Sequence, residues 1–311
     1  MPLLLLKVDG DPSSCDCFKP SMSSTAYFAH RKFFDFRDRA SASASASLGA
    51  LAVPEPIADR AGDAAAPVTN SYFSSAEWTD TWNIQRWSTG DGLVFRANSA
   101  NNMYFARDNS TDADTPTYLT MRTVRQSDYQ STSEFQTSSA QYQFLSLRMY
   151  ARTRGSPGAV TAMFTYRGGE PVQEADIEIR TERPESEVQY TNQPSYDAHN
   201  DADNPKATRI VDMATPWTTW QEHRYDWTPE LSEWYVDGAR VASISFQAPI
   251  DPAAVIFNVW GNDGAWSGKM PAGGAAEMDI QWIDLAYNNT DEPAASSSCS
   301  RICVVDELLL S

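Results

Sequence analysis

Long apolar segments and positive charge are both scarce in this chain. No run approaches the roughly 18 consecutive apolar residues of a membrane-spanning helix, so we expect no membrane span, and the opening MPLLLLKVDGD has too short an apolar core for a signal peptide. Lysine and arginine number 24 against 41 acidic residues, which gives a net charge of −17. This balance disfavours binding to nucleic acid or to an anionic membrane, and a neutral polymer is the partner that we expect.

Cysteine is rare, and its four copies lie as pairs at opposite ends of the chain, Cys15 and Cys17 against Cys299 and Cys303. Cysteines two apart in an extended segment point to opposite faces and cannot easily bond to each other, so disulfides between the two ends are predicted. Such bonds form in oxidising compartments. We therefore predict a secreted or cell-wall protein whose leader is missing or shortened. The alternative is an intracellular protein with four free thiols.

Other sequence features that indicate a cellular compartment or a cofactor are few. Sequons at Asn109 and Asn288 agree with secretion. The chain has three histidines, and they form no cluster with cysteine of the kind that binds zinc. We predict no metal or other cofactor.

Two low-complexity segments divide the chain. The Ala/Ser-rich stretch from Arg39 to Ala66, punctuated by proline, predicts a loop or linker, and the tail from Glu292 begins in the same way. The predicted organisation is an N-terminal arm with one cysteine pair (1–38), a linker (39–69), one main domain (70–290) and a C-terminal tail with the other pair (291–311). No internal repeat is visible, and we expect a monomer.

Short alternating or β-branched runs fill the main domain. Asp237-Gly238 predicts a turn between two of them, and no long amphipathic helix is apparent. Many short strands with turn signals predict an all-β fold, a jelly-roll sandwich of two antiparallel sheets. The runs that predict strands are 142–154, 158–169, 174–181, 223–228, 232–246, 254–261 and 276–288.

Three acidic residues, Glu174, Asp176 and Glu178, alternate with apolar residues in one of these runs. On a strand they point to one face, and the Cα atoms of the two glutamates are about 13 Å apart. Side chains that lean together bring the carboxyls near the ~5–5.5 Å separation of a retaining glycosidase. Since three neighbouring carboxylates cannot all ionise cheaply, we expect one protonated acid beside one carboxylate. An ordinary solvent-facing strand is the alternative that the pattern alone leaves open.

The segments around this strand resemble family 16 of the glycoside hydrolases, in its lichenase-like and transglycosylase-like branch, including secreted filamentous-fungal members. The resemblance covers roughly 142–288 and, less closely, 73–141. It implies a concanavalin A-like jelly roll and a catalytic domain at 70–290. The segments that carry it are GAVTAMFTYRGG, EADIEIRT, VQYTN, WQEHRYDWTPELSEWYVDG, FNVWGNDGAWSG and WIDLAYN.

By position, the resemblance implies that Glu174 is the nucleophile, Asp176 its helper and Glu178 the acid/base of a double displacement. It also implies cleft-facing substrate contacts at five further residues. Three of them have a simpler alternative: Trp260 could fill the core, His223 could be a structural hydrogen-bonder, and Arg148 could only neutralise nearby acids. The implied substrate contacts are Arg148, Tyr190, Asn192, His223 and Trp260.

Three positions depart from the family pattern. Gln173 replaces a frequent acid and Ala175 a bulky aliphatic residue, so we expect a slightly shifted pKa and looser packing beneath the nucleophile. Gln281 stands where some bacterial relatives have an aspartate on a structural calcium site, and calcium is therefore not expected.

The resulting hypothesis is a retaining endo-β-glucanase that cuts 1,3- or mixed 1,3-1,4-linked glucan. A cell-wall transglycosylase acting on glucan or chitin-glucan would use the same glutamates, and the sequence does not separate the two activities. A carbohydrate-binding lectin predicts the loss of one carboxylate, yet all three are present. A wall protein anchored through its termini has little support, because the apolar tail is too short for a lipid-anchor signal.

Overall fold

The computed structural model describes residues 15–39, 51, 53–90, 93–107, 117–197, 199, 201–291, 299 and 301–309. Strands dominate, and the helices have only four or five residues within these ranges. None of the described helices has the length and apolar character needed to cross a membrane. The helices are α1 (Arg60–Ala64), α2 (Ala76–Thr79) and α3 (Val305–Leu308), with 3-10 turns at Ser71–Ser74 and Ala100–Asn102.

The strands follow the predicted runs closely from residue 142 onward. The Asp237-Gly238 turn is present, with positive φ at both residues, as a tight hairpin requires. The strands are β1 (Cys17–Lys19), β2 (His30–Asp35), β3 (Trp82–Ile84), β4 (Ser88–Thr89), β5 (Phe95–Asn98), β6 (Met103–Arg107), β7 (Thr117–Arg125), β8 (Tyr129–Thr137), β9 (Tyr142–Gly155), β10 (Val160–Arg167), β11 (Gln173–Arg180), β12 (Glu187–Gln193), β13 (Tyr196–Asp197), β14 (Ala202–Asp203), β15 (Thr208–Asp212), β16 (Gln221–Thr228), β17 (Leu231–Val236), β18 (Ala239–Ile244), β19 (Ala254–Trp260), β20 (Ala275–Asn289) and β21 (Ile302–Val304).

Two antiparallel sheets form the body of the protein. The front sheet has the order β15-β12-β11-β10-β19-β8-β3. The back sheet has the order β18-β17-β16-β9-β20, and β20 then pairs with β2 along one half and with β7 along the other. β8 joins the sheets, since its first half pairs with β5 and β7 and its second half with β19.

The core lies between the two sheets and follows from the period-two alternation of the strands. On β11, Ala175, Ile177 and Ile179 point inward and belong to the same core cluster as Leu147 and Met149 of β9. A large aromatic cluster fills one end of the core, where ring centroids lie 4.8–6.5 Å apart. Its members are Phe36, Tyr72, Phe73, Trp78, Trp82, Phe105, Phe135 and Phe257.

Disulfides join the two ends of the chain as predicted, with Cys15 bonded to Cys303 and Cys17 to Cys299. Residues 15–28, 299 and 301–309 form what we call the terminal clasp, in which β1 and β21 pair in parallel. The clasp lies on the outer face of the back sheet. There, Phe18, Phe28 and Val305 pack near Ala286. Of the two sequons, Asn109 lies outside the described residues, and Asn288 is half-buried, with its Oδ1 accepting a hydrogen bond from the Ala29 N–H.

The two disulfides of the clasp are expected to contribute to stability in a non-additive way. Cross-links 288 and 282 residues apart restrict the unfolded chain strongly, but once one is present the other closes only a short ring. Replacing either pair by serine should therefore lower the free energy of unfolding by about 2 kcal/mol, and replacing both by about 5 kcal/mol or more. Urea titration of the three variants measures this. A double loss no larger than the sum of the single losses would contradict the nested-ring argument.

The predicted boundaries at residues 38 and 70 do not separate the arm and linker from the main domain. β2 belongs to the back sheet and pairs with β20 over its whole length, so the arm supplies part of the fold. The described part of the linker is also bound to the domain: the Tyr129 hydroxyl contacts Ile57 O at 2.7 Å and Asp63 Oδ2 at 2.9 Å. The low complexity of the segment predicted a linker and did not reveal these contacts, because they are made with a strand that is distant in the sequence.

Candidate active site

β11 places its three acidic residues on the outer face of the front sheet. The strand register sets Glu174 beside Tyr166, Asp176 beside Phe164 and Glu178 beside Ala162 of β10. On the other side, Gln193, Thr191 and Gln189 of β12 occupy the matching positions. The predicted face and strand are therefore those of the structure, since the alternation of acidic and apolar residues is uninterrupted.

A cleft of about 530 Å³ lies over this face. It crosses the sheet from β11 over β10 and β19 to β8, and its lining combines carboxylates, amides and aromatic rings. That composition suits a sugar polymer, whose rings stack on aromatic faces while its hydroxyls form hydrogen bonds. The lining residues are Trp87, Arg96, Glu134, Gln136, Ala162, Phe164, Tyr166, Glu174, Asp176, Glu178, Ile256, Asn258 and Trp260.

The three carboxyl groups differ in the side chains that surround them. Asp176 is 3% exposed, and burial together with the charges of Glu174 and Glu178 raises its pKa well above the usual range. Burial also raises the pKa of Glu174, but a hydrogen bond with Asp176 opposes that rise. Because the pKa of Asp176 is raised further than that of Glu174, Asp176 is the member of the pair that favours the protonated form, and Glu174 the one that favours the ionised form.

Glu178 is the member of the trio suited to exchange a proton near neutral pH. Burial raises its pKa to about 7, against a hydrogen bond that favours the ionised form. That bond comes from Trp266, whose indole Nε1 donates to Glu178 Oε1 at 3.1 Å. A carboxyl with a pKa near the working pH can both donate and accept a proton, as acid/base catalysis requires.

The β8 end of the cleft is also polar and aromatic. Trp87 Nε1 donates to Glu134 Oε1 at 2.8 Å, and Arg96 lies over the Trp260 ring at 4.9 Å and near the Trp87 ring at 5.8 Å. Burial raises the pKa of Glu134, whereas hydrogen bonds from Trp87 and Asn258 lower it. Because Glu134, Asn258, Ala162 and Glu178 share one row across four strands, about 14 Å separates the two glutamates along the sheet.

Residues 96–284, more than half of the chain, match Glycosyl hydrolases family 16. The chain belongs to this family. The predicted family assignment is confirmed.

Relatives of known name agree with this family. A beta-glucanase of Bacillus licheniformis is 27% identical over 132 residues, which cover 40% of this chain and 51% of that protein. One of Bacillus amyloliquefaciens is 30% identical over 118 residues, which cover 36% of this chain and 46% of the relative. The chain thus spans about half the length of the curated relatives that it matches.

Solved structures share the jelly-roll fold. A prokaryotic β-1,3-1,4-glucanase (lichenase) from a mouse hindgut metagenome superimposes with a TM-score of 0.54 at 21% identity, covering 67% of this chain and 93% of the other. The laminarinase catalytic domain of Thermotoga maritima gives a TM-score of 0.51 at 15% identity, covering 68% and 92%. These likenesses confirm the predicted all-β fold.

Of the five predicted substrate contacts, the structure places only Trp260 in the cleft of this family 16 domain. Tyr190 and Asn192 are on the core face of β12, opposite Ile177 and Ala175. Tyr190 is fully buried near Trp234 at 5.7 Å, and Asn192 Nδ2 donates to the backbone carbonyls of Ile244 and Phe246. The prediction that these two side chains face the cleft is therefore corrected, because the register of β12 turns Gln189 and Thr191 outward instead.

The other two predicted contacts belong to the back sheet, so their placement in the cleft is corrected as well. His223 is 1% exposed and points into the core beside Met149, and burial lowers its pKa to about 4. Arg148 lies under the terminal clasp, where Nη1 bonds Asp306 Oδ1 at 2.6 Å and Nη2 donates to Pro20 O. Both serve the structure of the back sheet.

Several residues in or beside the cleft were not predicted from the sequence. Asn258 precedes Trp260 by two positions on the same strand, so the same alternation would have placed it in the cleft. Glu134 likewise alternates with buried Phe135 on β8. Trp87 and Trp266 lie outside strands, and no local periodicity marks them. Among the described residues, no group of three His, Cys, Asp or Glu side chains is arranged to bind a metal.

Proposed function

We propose that this chain is a retaining endo-β-glucan hydrolase in which Glu174 is the nucleophile, Asp176 its helper and Glu178 the acid/base. The observation that carries the proposal is that β11 places three carboxyl groups on one face of the front sheet, where they line the cleft. Asp176 keeps a proton and stabilises the Glu174 carboxylate, while Glu178 has a pKa of about 7 and can donate a proton. A retaining glycosidase needs one ionised and one protonated carboxyl on one surface.

The reaction would proceed by two displacements. In the first, the Glu174 carboxylate attacks the anomeric carbon while Glu178 gives its proton to the glycosidic oxygen of the leaving sugar. In the second, Glu178 takes a proton from water, which attacks the glycosyl ester and releases Glu174. Each displacement inverts the anomeric carbon, and the product therefore keeps the β configuration.

Several features support a neutral glucan as the substrate. The net charge of −17 disfavours anionic polymers, and the cleft crosses four strands, long enough for more than one sugar. Trp260 offers an aromatic platform in the cleft. Relatives are named as beta-glucanases, and solved structures with this fold as lichenase and laminarinase, so 1,3- or mixed 1,3-1,4-linkages are the ones to test.

We also propose that the protein works outside the cell or in the cell wall. The support is the pair of disulfides that joins the ends of the chain. Disulfides of this structural kind persist in oxidising compartments. Fractionation of the producing cells, followed by immunodetection of the chain, tests the location; recovery from the cytosol alone would contradict it.

The proposed activity is tested by product analysis of the wild-type protein on laminarin, lichenan and soluble chitin oligomers, with NMR recording the anomer released first. We expect shorter oligosaccharides from a glucan, in the β form before mutarotation. First release of the α anomer would contradict retention. Products longer than the substrate would identify a transglycosylase with the same carboxyl groups, and binding without turnover would identify a lectin.

A further inference from the structure

The loop between β19 and β20 brings Trp266 to Glu178. Among the described residues, this indole is the side chain that donates a hydrogen bond to the Glu178 carboxyl, at 3.1 Å. The ring also packs against the apolar group of Val160, Ala162 and Phe164 on the front sheet. Loop residues need support to hold a fixed direction, so the partner on the other face of the indole matters.

That partner is Arg180, two residues beyond Glu178 on β11 and therefore on the same face. Its guanidinium lies 4.4 Å from the centre of the Trp266 ring, a stacked cation–π contact. The Arg180 side chain is only 13% exposed, so little water competes for it.

An ion pair with Glu187 holds the Arg180 side chain in place. Its Nη2 lies 3.4 Å from Glu187 Oε1, and the Glu187 side chain is 11% exposed. Arg183 binds the same carboxylate through two hydrogen bonds of 2.7 and 3.0 Å. Arg183 therefore leaves Glu187 paired even without Arg180, which makes position 180 suitable for substitution.

We propose that Arg180 is a positioning residue for the acid/base: by stacking on Trp266, it holds the indole N–H in place against Glu178. This inference rests on the proposed function, since it assigns Arg180 a role through the acid. A fixed donor keeps one carboxyl oxygen of Glu178 engaged and leaves the other directed at the glycosidic oxygen. Misplacement by about 1 Å can cost on the order of 10²-fold in rate, so a partial loss of support should be visible in kcat.

The electrostatic consequence has a definite sign. The Trp266 hydrogen bond and the Arg180 charge both favour ionised Glu178, and both therefore lower a pKa that burial raises to about 7. The wild-type kcat should fall above about pH 7, as Glu178 loses the proton that it must donate. Removing Arg180 should raise the pKa of Glu178 and move this basic limb to higher pH.

The test compares Arg180→Met with wild type on a soluble β-glucan and on a dinitrophenyl β-glycoside of the same sugar. Methionine keeps an unbranched, flexible stem without the charge or the planar guanidinium. On the glucan we expect kcat to fall about tenfold, KM to change less than about twofold, and the basic limb to rise by about half a pH unit. On the dinitrophenyl glycoside, whose leaving group needs no proton, the rate of the glycosylation step should stay within about twofold of wild type.

Two further variants serve as a control and as a second test. Arg240→Met removes an exposed arginine from an ion pair on the back sheet, with Glu233 at 2.7 Å, and it should behave as wild type. Arg180→Lys keeps the charge but not the planar stack. We expect it to lower kcat on the glucan with a smaller shift of the basic limb, and it serves as the test if the methionine variant does not fold.

The outcomes separate this inference from the proposed function. Equal losses on both substrates with an unshifted basic limb would show that Arg180 only supports the fold and would overturn the inference. Full activity of Arg180→Met and Arg180→Lys on the glucan would overturn it too. If wild type turned over neither substrate, the proposed function itself would fail, and this inference with it.

Discussion

Glu174→Ala is expected to remove glucan hydrolysis almost completely, by on the order of 10⁴-fold or more in kcat, the scale on which loss of a central catalytic group slows hydrolases. Without Glu174 no glycosyl ester can form. The loss should leave the fold intact, since Glu174 is half-buried at the cleft surface and packs into no core cluster. Initial rates on the best glucan, with thermal unfolding as the folding control, measure this effect.

Azide should restore activity to the Glu174→Ala variant, and the product identifies the role of Glu174. The cavity left by Glu174→Ala admits a small anion to the face of the sugar that the carboxylate would attack. With a dinitrophenyl β-glycoside, azide should therefore restore turnover and give the α-glycosyl azide, a single displacement with inversion. Recovery of a β-glycosyl azide from this variant would mean that Glu174 is not the nucleophile. Glu174→Gln, which leaves no cavity, is the matched control and should not respond to azide.

Glu178→Ala is expected to lower kcat on the glucan by about 10²–10⁴-fold, the usual contribution of a general acid or base. The first displacement should survive on a dinitrophenyl glycoside, because that leaving group departs without a proton. The glycosyl ester should then accumulate, since no base remains to activate water. A burst of dinitrophenol followed by slow turnover, observed in stopped flow, measures this separation of the two steps.

Azide distinguishes the two glutamates by stereochemistry. In Glu178→Ala it attacks the glycosyl ester from the β face, where water would otherwise enter, and should give the β-glycosyl azide. The pH profile gives a second criterion, because the basic limb due to a group with a pKa of about 7 should disappear. An α-azide from this variant, or a basic limb that persists, would reverse or remove the assignment of Glu178 as acid/base.

Asp176 is the third carboxyl group of the proposed site. It lies between the two glutamates and is nearly inaccessible to water, and burial together with the charges of Glu174 and Glu178 raises its pKa well above the usual range. In the proposed mechanism, its proton stabilises the nucleophile before attack. The proposed mechanism therefore requires different protonation states for three acids within five residues of one strand.

The sequence alone determined the features that depend on local period and composition. Glu174, Asp176 and Glu178 had to share a face because successive residues of a strand alternate, and Asp237-Gly238 had to turn because both residues accept positive φ. The terminal cysteines predicted the cross-paired disulfides for a similar reason, since neighbours two apart cannot bond to each other.

Only the tertiary structure decided which surface each remaining side chain meets. Arg148 alternates correctly with core residues, but the alternation does not say whether its outer face carries the cleft or the terminal clasp. Tyr190 and Asn192 are each acceptable on either face, and only pairing with β11 fixed them inward. Trp266 reaches Glu178 from a loop 88 residues away. Register, sheet order and loop path are non-local properties, and the periodicity of single strands does not encode them.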